Sequence, residues 1–166
     1  MLAWTDVDRC KSKMVHALNT WWISNKEASG LPDRRSFDPA AFKTLMPNLV
    51  VVEVEQDPFR LRYRLVGTRV AQFTGFDFTG RYLDELIALG STSEWQNQYA
   101  AACANGQPVF GAITEPTTSG GTFTFEFGLF PISAGGATVR QFISVEDYFG
   151  ASITSAQVVS TGQHAG

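Results

Sequence analysis

The chain has 166 residues, room for one ordinary domain with a real core and too few for two comfortable ones. An apolar share of 44%, with 13 Phe and 4 Trp, marks it as globular, while 17% charged residues and a net charge of -3 exclude an electrostatic case for nucleic acid or an anionic membrane surface. The opening Met1-Leu2-Ala3-Trp4 lacks a basic start followed by an apolar run, and no later segment approaches the ~20 apolar residues of a membrane helix, so a cytoplasmic location is expected.

In chain order, residues 5–26 read as an amphipathic helix, because Val7, Cys10, Met14, Ala17 and Trp21 recur at spacings of three and four and Leu18 widens the stripe. Such a stripe can pack on the chain's own sheet or pair with a second copy as a coiled coil. Ala28-Ser29-Gly30-Leu31-Pro32 breaks the helix. Asp38 and Pro39 then suit the N-cap and first position of a short helix that should end near Met46-Pro47-Asn48.

A hairpin follows. Leu61, Tyr63 and Leu65 alternate with Arg60, Arg62 and Arg64, the period-two pattern of a half-buried strand. With Gln56-Asp57-Pro58-Phe59 as a four-residue turn, Glu55 falls opposite Arg60 and Glu53 opposite Arg62. Val54, Val52 and Val50 then face Leu61, Tyr63 and Leu65. Two glutamates beside the arginines neutralise what a phosphate binder would need uncompensated. Short helical pieces are expected over 68–73 and 79–86, separated at Gly75, and a longer helix over 91–105, with Trp95, Tyr99, Ala102 and Cys103 on one face. Three strands end the domain, over 108–115, 122–130 and 138–146, joined by the Gly-rich turns 117–121 and 133–136. In the middle strand Phe123, Phe125, Phe127 and Leu129 share one face, and Glu126 lies on the polar one. From Gly150 onward only Ile153, Val158 and Val159 could anchor the chain, so a flexible tail is expected. The order specifies an α+β antiparallel sheet with helices on one face.

These residues resemble the PAS superfamily, and within it the stand-alone bacterial PAS-type proteins. The likeness is carried by Pro32-Asp33-Arg34-Arg35-Ser36-Phe37-Asp38-Pro39, by Tyr63-Arg64-Leu65-Val66-Gly67-Thr68, by Gly75 with Thr79-Gly80-Arg81, and by the three terminal strands. The resemblance implies a five-stranded antiparallel sheet of order 2-1-5-4-3 over 31–149, preceded by an N-terminal helix and linker (1–30) and followed by a tail (150–166). It also implies a sensory or interaction role, without naming a ligand.

Haem would need an axial ligand inside the domain, and the two histidines, His16 and His164, lie in the N-terminal helix and the tail. Flavin photoreceptors of the superfamily carry an Asn-Cys-Arg motif that does not occur here. Cys10 and Cys103 are too far apart to suggest a metal site or disulfide framework, and Cys103 lacks a basic neighbour to activate it. No cofactor is therefore expected. A small apolar ligand stays open, bounded by Tyr63, Phe73, Phe76, Phe78, Trp95, Tyr99, Phe125 and Phe127, although the same rings would equally fill a solid core.

Function is thus expected to be that of a signalling module acting through a protein partner or a homodimer. The contact would use the N-terminal helix through Val7, Cys10, Met14, Leu18, Trp21 and Trp22, since one narrow stripe cannot bury both tryptophans. The alternative is a small α+β enzyme with a hot-dog-like or cone-like cavity. Its candidate carboxylates are Asp77, Asp84, Glu85, Glu94 and Glu126, none with a histidine partner by sequence logic. A third reading gathers Arg34, Arg35, Arg64 and Arg81 into an anion site, against which stand ordinary surface ion pairs.

Overall fold

The computed structural model describes residues 1–86, 92–116 and 120–151. The predicted helix start at Ser91, the turn residues 117–119, and Ile153, Val158, Val159 and His164 of the tail lie outside them. Among the described residues no helix is long and apolar enough to cross a membrane.

The elements are β1 (Leu2–Trp4), α1 (Lys13–Ser24), β2 (Leu49–Glu55), β3 (Arg60–Val66), α2 (Thr68–Thr74), α3 (Thr92–Asn105), β4 (Val109–Pro116), β5 (Thr122–Ile132) and β6 (Gln141–Asp147). They build one antiparallel sheet of order β1-β4-β5-β6-β2-β3. Its last five strands are the expected five in the expected order. The sixth, β1, pairs with β4 and was not read from the sequence.

The N-terminal helix is shorter than its periodicity suggested. Val7–Arg9 form a single 3-10 turn, the chain is extended at Cys10, and α1 begins only after Ser12, whose hydroxyl accepts the Val15 amide at 3.1 Å. The predicted helix over 38–46 is a run of turns. Asp38 caps Ala40 at 2.9 Å, and Pro47 then sits inside a 3-10 turn over Met46–Asn48. Of the segment 79–86, only Leu83–Glu85 coils, as a 3-10 turn.

The hairpin register holds for Glu55↔Arg60, Val54↔Leu61, Glu53↔Arg62 and Val52↔Tyr63. Beyond them a bulge leaves Arg64 unpaired, so Val51 meets Leu65, and Val50 meets Val66 instead of the expected Leu65. The slip turns Val66 into the core and leaves Leu65 half-buried. At Gly67 a Cβ would collide with the carbonyls of Pro47 and Met46, so only glycine lets α2 start against that turn. The free edge of β3 is covered by Thr79-Gly80-Arg81. Gly80, at φ 86°, donates to the Tyr63 carbonyl at 2.7 Å, and Tyr63 donates to the Arg81 carbonyl at 2.9 Å.

Helices cover both faces of the sheet. On the inner face, α3 lies over Phe127 and Phe142 through Trp95 and Tyr99, and α2 reaches Phe123 of β5 through Phe73. On the outer face, α1 lies over β5 and β6, burying Val15, Leu18 and Trp22, with the Trp22 indole donating to the Pro131 carbonyl at 2.7 Å. Two-sided cover explains why β5 is buried continuously from Glu126 to Ile132, whereas its first half alternates. Leu18, Trp22 and Cys10 are thus used inside the domain and form no exposed stripe. Trp21 is half-buried, edge-on to Phe37 at 5.2 Å and to Phe42 at 6.2 Å.

Candidate functional site

The eight aromatics read from the sequence fall into three sets on the inner face. Tyr63 packs edge-on to Phe78 at 4.6 Å, with the exposed Phe76 5.9 Å from Phe78. Trp95 lies 4.7 Å from Phe127, while Tyr99 lies 4.9 Å from Phe142. Phe73 and Phe125 meet through Phe123, which shares the strand face of Phe125 but is not one of the eight, and through Tyr148, which the sequence reading did not name. Phe73 stacks on Tyr148 at 3.9 Å and on Phe123 at 5.3 Å, and Phe125 lies 5.1 Å from Tyr148. At these separations the rings fill one another's space.

Polar groups are concentrated where the third set meets β6. Because β6 alternates, Phe142, Ser144 and Glu146 point inward, while Ile143, Val145 and Asp147 point outward. Glu146 accepts a hydrogen bond from the Tyr148 hydroxyl. It keeps part of its surface accessible, yet protein surrounds it closely enough that burial lifts its carboxyl from an ordinary 4.5 to about 7, against the opposing effect of the Tyr148 bond. The hydroxyls of Tyr99 and Ser144 lie 3.2 Å apart, and burial raises the phenol pKa values of Tyr63, Tyr99 and Tyr148. Arg69 of α2 sits 4.9 Å over the Phe73 ring and donates to the Ala151 carbonyl.

On the opposite face of the same strand, Asp147 accepts from Ser12 Oγ at 2.7 Å and from the Phe149 amide at 2.9 Å. Its cross-strand neighbour Glu126 accepts the amides of Lys11 and Ser12, each at 2.8 Å. Glu126 therefore does not lie on a solvated polar face, as its alternation suggested. It is buried as the anchor of the N-terminus of α1, where a carboxylate is favoured by the helix dipole.

The other carboxylates weighed for catalysis have structural partners. Asp77 accepts from the Thr79 amide and hydroxyl, Asp84 takes a bidentate pair of bonds from Arg60 at 2.8 Å, Glu85 accepts the Tyr82 amide, and Glu94 lies 3.7 Å from the N-terminal ammonium. Arg35 and Arg64 pair with Asp33 and Glu53, two carboxylates on different elements. Burial raises both thiols, Cys103 to about 11, so neither is poised as a thiolate at neutral pH. His16 lies on α1, bonded to the Cys10 carbonyl at 2.9 Å. No group of three His, Cys, Asp or Glu that could hold a metal occurs among the described residues.

A separate groove of about 800 Å³ opens between the β2–β3 turn, the end of α3 and the start of β6, lined in part by Leu31, Phe59, Cys103, Gln107, Val139 and Arg140. None of the eight predicted aromatics lines it.

A family model described as PAS domain matches residues 10–145. No curated protein matches the chain. Among solved structures, an RNA-binding light-oxygen-voltage receptor is 22% identical over 70% of this chain and 35% of its own, with a TM-score of 0.47; this chain thus spans about a third of that receptor. The PAS domain of a Colwellia psychrerythraea protein is 15% identical over 66% of this chain and 93% of its own, at a TM-score of 0.45. A Rhodobacter sphaeroides light-oxygen-voltage protein is 14% identical over 72% of this chain and 73% of its own, at 0.46.

Proposed function

The chain belongs to the PAS-domain family, and from that premise we propose that it is a sensory or regulatory module acting through a protein contact rather than through catalysis. One observation supports this reading above the others. Consecutive residues at the end of β6 serve opposite faces: Glu146 and Tyr148 belong to the inner aromatic layer, while Asp147 between them holds the cap of α1. A change at the inner carboxyl therefore shares a peptide segment with the fastening of the outer helix, as a relay between two sites requires.

The contact surface in this reading is the outer side of α1 and what precedes it. Ile23 is 56% exposed, and Val7, Met14 and Trp21 stay within reach of a second copy or another protein. The reading places the module in the cytoplasm, where the thiols of Cys10 and Cys103 stay reduced. A second reading, a small apolar ligand on the inner face, is favoured by the half-buried rings of Trp95, Phe123 and Phe125.

Intact mass of the natively purified protein, recorded without denaturation, separates these readings. A dimer or heterocomplex that Ile23→Glu dissolves supports the protein contact. Retained extra mass on a monomer supports the ligand. A bare monomer with turnover that a single carboxylate substitution abolishes would overturn both in favour of an enzyme.

A further inference from the structure

We infer that the input of this module is a proton taken up by Glu146, passed across β6 to the cap of α1; the inference rests on the relay reading above and names what drives it. The inner rings occupy one another's space, which leaves the Glu146 carboxyl as a polar receptor on a filled apolar face. A proton is an input that requires no cavity. The carboxyl keeps accessible surface, so protons reach it, and it is enclosed enough to change charge near neutral pH.

The groups packed around Glu146 are mostly neutral. On its own strand it meets Tyr148 and Ser144; α3 supplies Tyr99, β3 supplies Tyr63, and the neighbouring strand β5 places Phe127 opposite. From the Met46–Asn48 turn, the Asn48 amide donates to the Glu146 carbonyl at 2.6 Å. Among the described residues Arg69 of α2 is a cation that reaches this layer, on the Tyr148 side and committed to the Phe73 face and the Ala151 carbonyl, and the acids Glu126 and Asp147 lie across the sheet. Among the described residues the charge state of this carboxyl is therefore set by burial and the Tyr148 bond rather than by an ion partner.

Ionised Glu146 accepts the Tyr148 hydroxyl in a charge-assisted bond, and protonation weakens it. Tyr148 is held on one side by its stack on Phe73 and on the other by the turn in which Phe149 takes φ 49° and donates to Asp147. Asp147 lies between the two, bonded to Ser12 Oγ, which also accepts the Val15 amide and so starts α1. Releasing Tyr148 thus shifts the segment that holds the helix cap.

The test follows the Glu146 side-chain carboxyl ¹³C shift together with the Ser12 and Val15 amide shifts from pH 5.5 to 8.5, in the full chain and in Glu146→Gln and Tyr148→Phe. The expected result is one shared midpoint near 7 in all three signals. Tyr148→Phe, which removes the bond favouring the charged form, moves that midpoint upward, and Glu146→Gln abolishes the amide transition. A carboxyl that completes its titration below pH 5.5 overturns the proton input and leaves the relay standing. A carboxyl that titrates near 7 while the Ser12 and Val15 amides stay still overturns the relay, and this inference with it. Should Glu146→Gln fail to fold, the midpoint shift in Tyr148→Phe decides.

Discussion

Replacing Glu146 with glutamine should change how stability depends on pH, in a direction opposite to most carboxylate substitutions. Burial raises this carboxyl from 4.5 to about 7 in the folded chain. The folded state therefore binds a proton over a window in which the unfolded chain has already lost it. Its contribution to stability is fully present below the unfolded value and is lost as pH rises through the folded one. At about 1.4 kcal/mol per pKa unit, the full swing is about 3 kcal/mol, of which roughly 2 kcal/mol falls between pH 5.5 and 8.5. Glutamine keeps the shape and the hydrogen-bond acceptor but cannot charge. Urea denaturation at the two pH values should show the parent losing about 2 kcal/mol more than Glu146→Gln on going to pH 8.5. Parallel losses in the two proteins would refute the placement of an enclosed, titrating carboxyl on the inner face.

Other substitutions probe the frame around it. Trp22→Ala empties a fully buried site on the outer face and should cost about 3–5 kcal/mol by chemical denaturation; a cost near zero would mean that α1 does not pack on the sheet. Gly67→Ala forces a methyl against the Pro47 carbonyl and should destabilise by several kcal/mol, on the order of 3 or more, with a matching fall in Tm. Arg64→Ala removes a half-exposed pair with Glu53 at 3.7 Å and should change stability by less than about 1 kcal/mol, whereas a larger loss would mean that the bulge depends on this side chain. Asp33 accepts bonds from the Arg35 amide, Arg35 Nε and the Gly135 amide, which together hold its carboxyl well below the usual range. The stability it adds is present above the unfolded carboxylate value and is lost toward acid, so Asp33→Asn should flatten the acid side of the stability profile.

The motifs that carried the family resemblance are fastenings. Asp33 ties the linker to the β5–β6 turn, Gly67 admits α2 against the Met46–Asn48 turn, and Thr79-Gly80-Arg81 closes the edge of β3. Short-range chemistry of this kind is visible in one sequence, which is why most of the hairpin register could be read from it, whereas the strand order followed only from the family resemblance that these motifs carry. The break before α1 could not be read so easily. Ser12 alone signals an N-cap, but what holds it there is Glu126 and Asp147, 114 and 135 residues away. The same distance hid the burial of Glu126, since a strand covered on both faces no longer reports exposure through alternation. Nor does composition distinguish Arg64, the bulged residue, from Arg60 and Arg62.

The site was half legible. Period two placed the β5 aromatics on one face, and the same rule applied to β6 would have set Glu146 beside Phe142 and Ser144. Glu146 was not among the candidate carboxylates, because a histidine partner is not what marks it: its partner is a tyrosine two residues on. The aromatics themselves were found, yet they meet as a packed layer in three sets, a difference that depends on ring orientation and so on the completed fold.

The account depends on the inner carboxyl and the outer helix cap being energetically one unit. A double-mutant cycle between Glu146→Gln and Ser12→Ala, measured by denaturation at pH 8.5, where Glu146 is charged, tests this directly. The account predicts that the two single costs fail to add, by more than about 0.5 kcal/mol, although the side chains lie on opposite faces of the sheet. Costs that add within that margin would contradict it, leaving Glu146 an isolated buried acid and α1 a helix that does not respond to it.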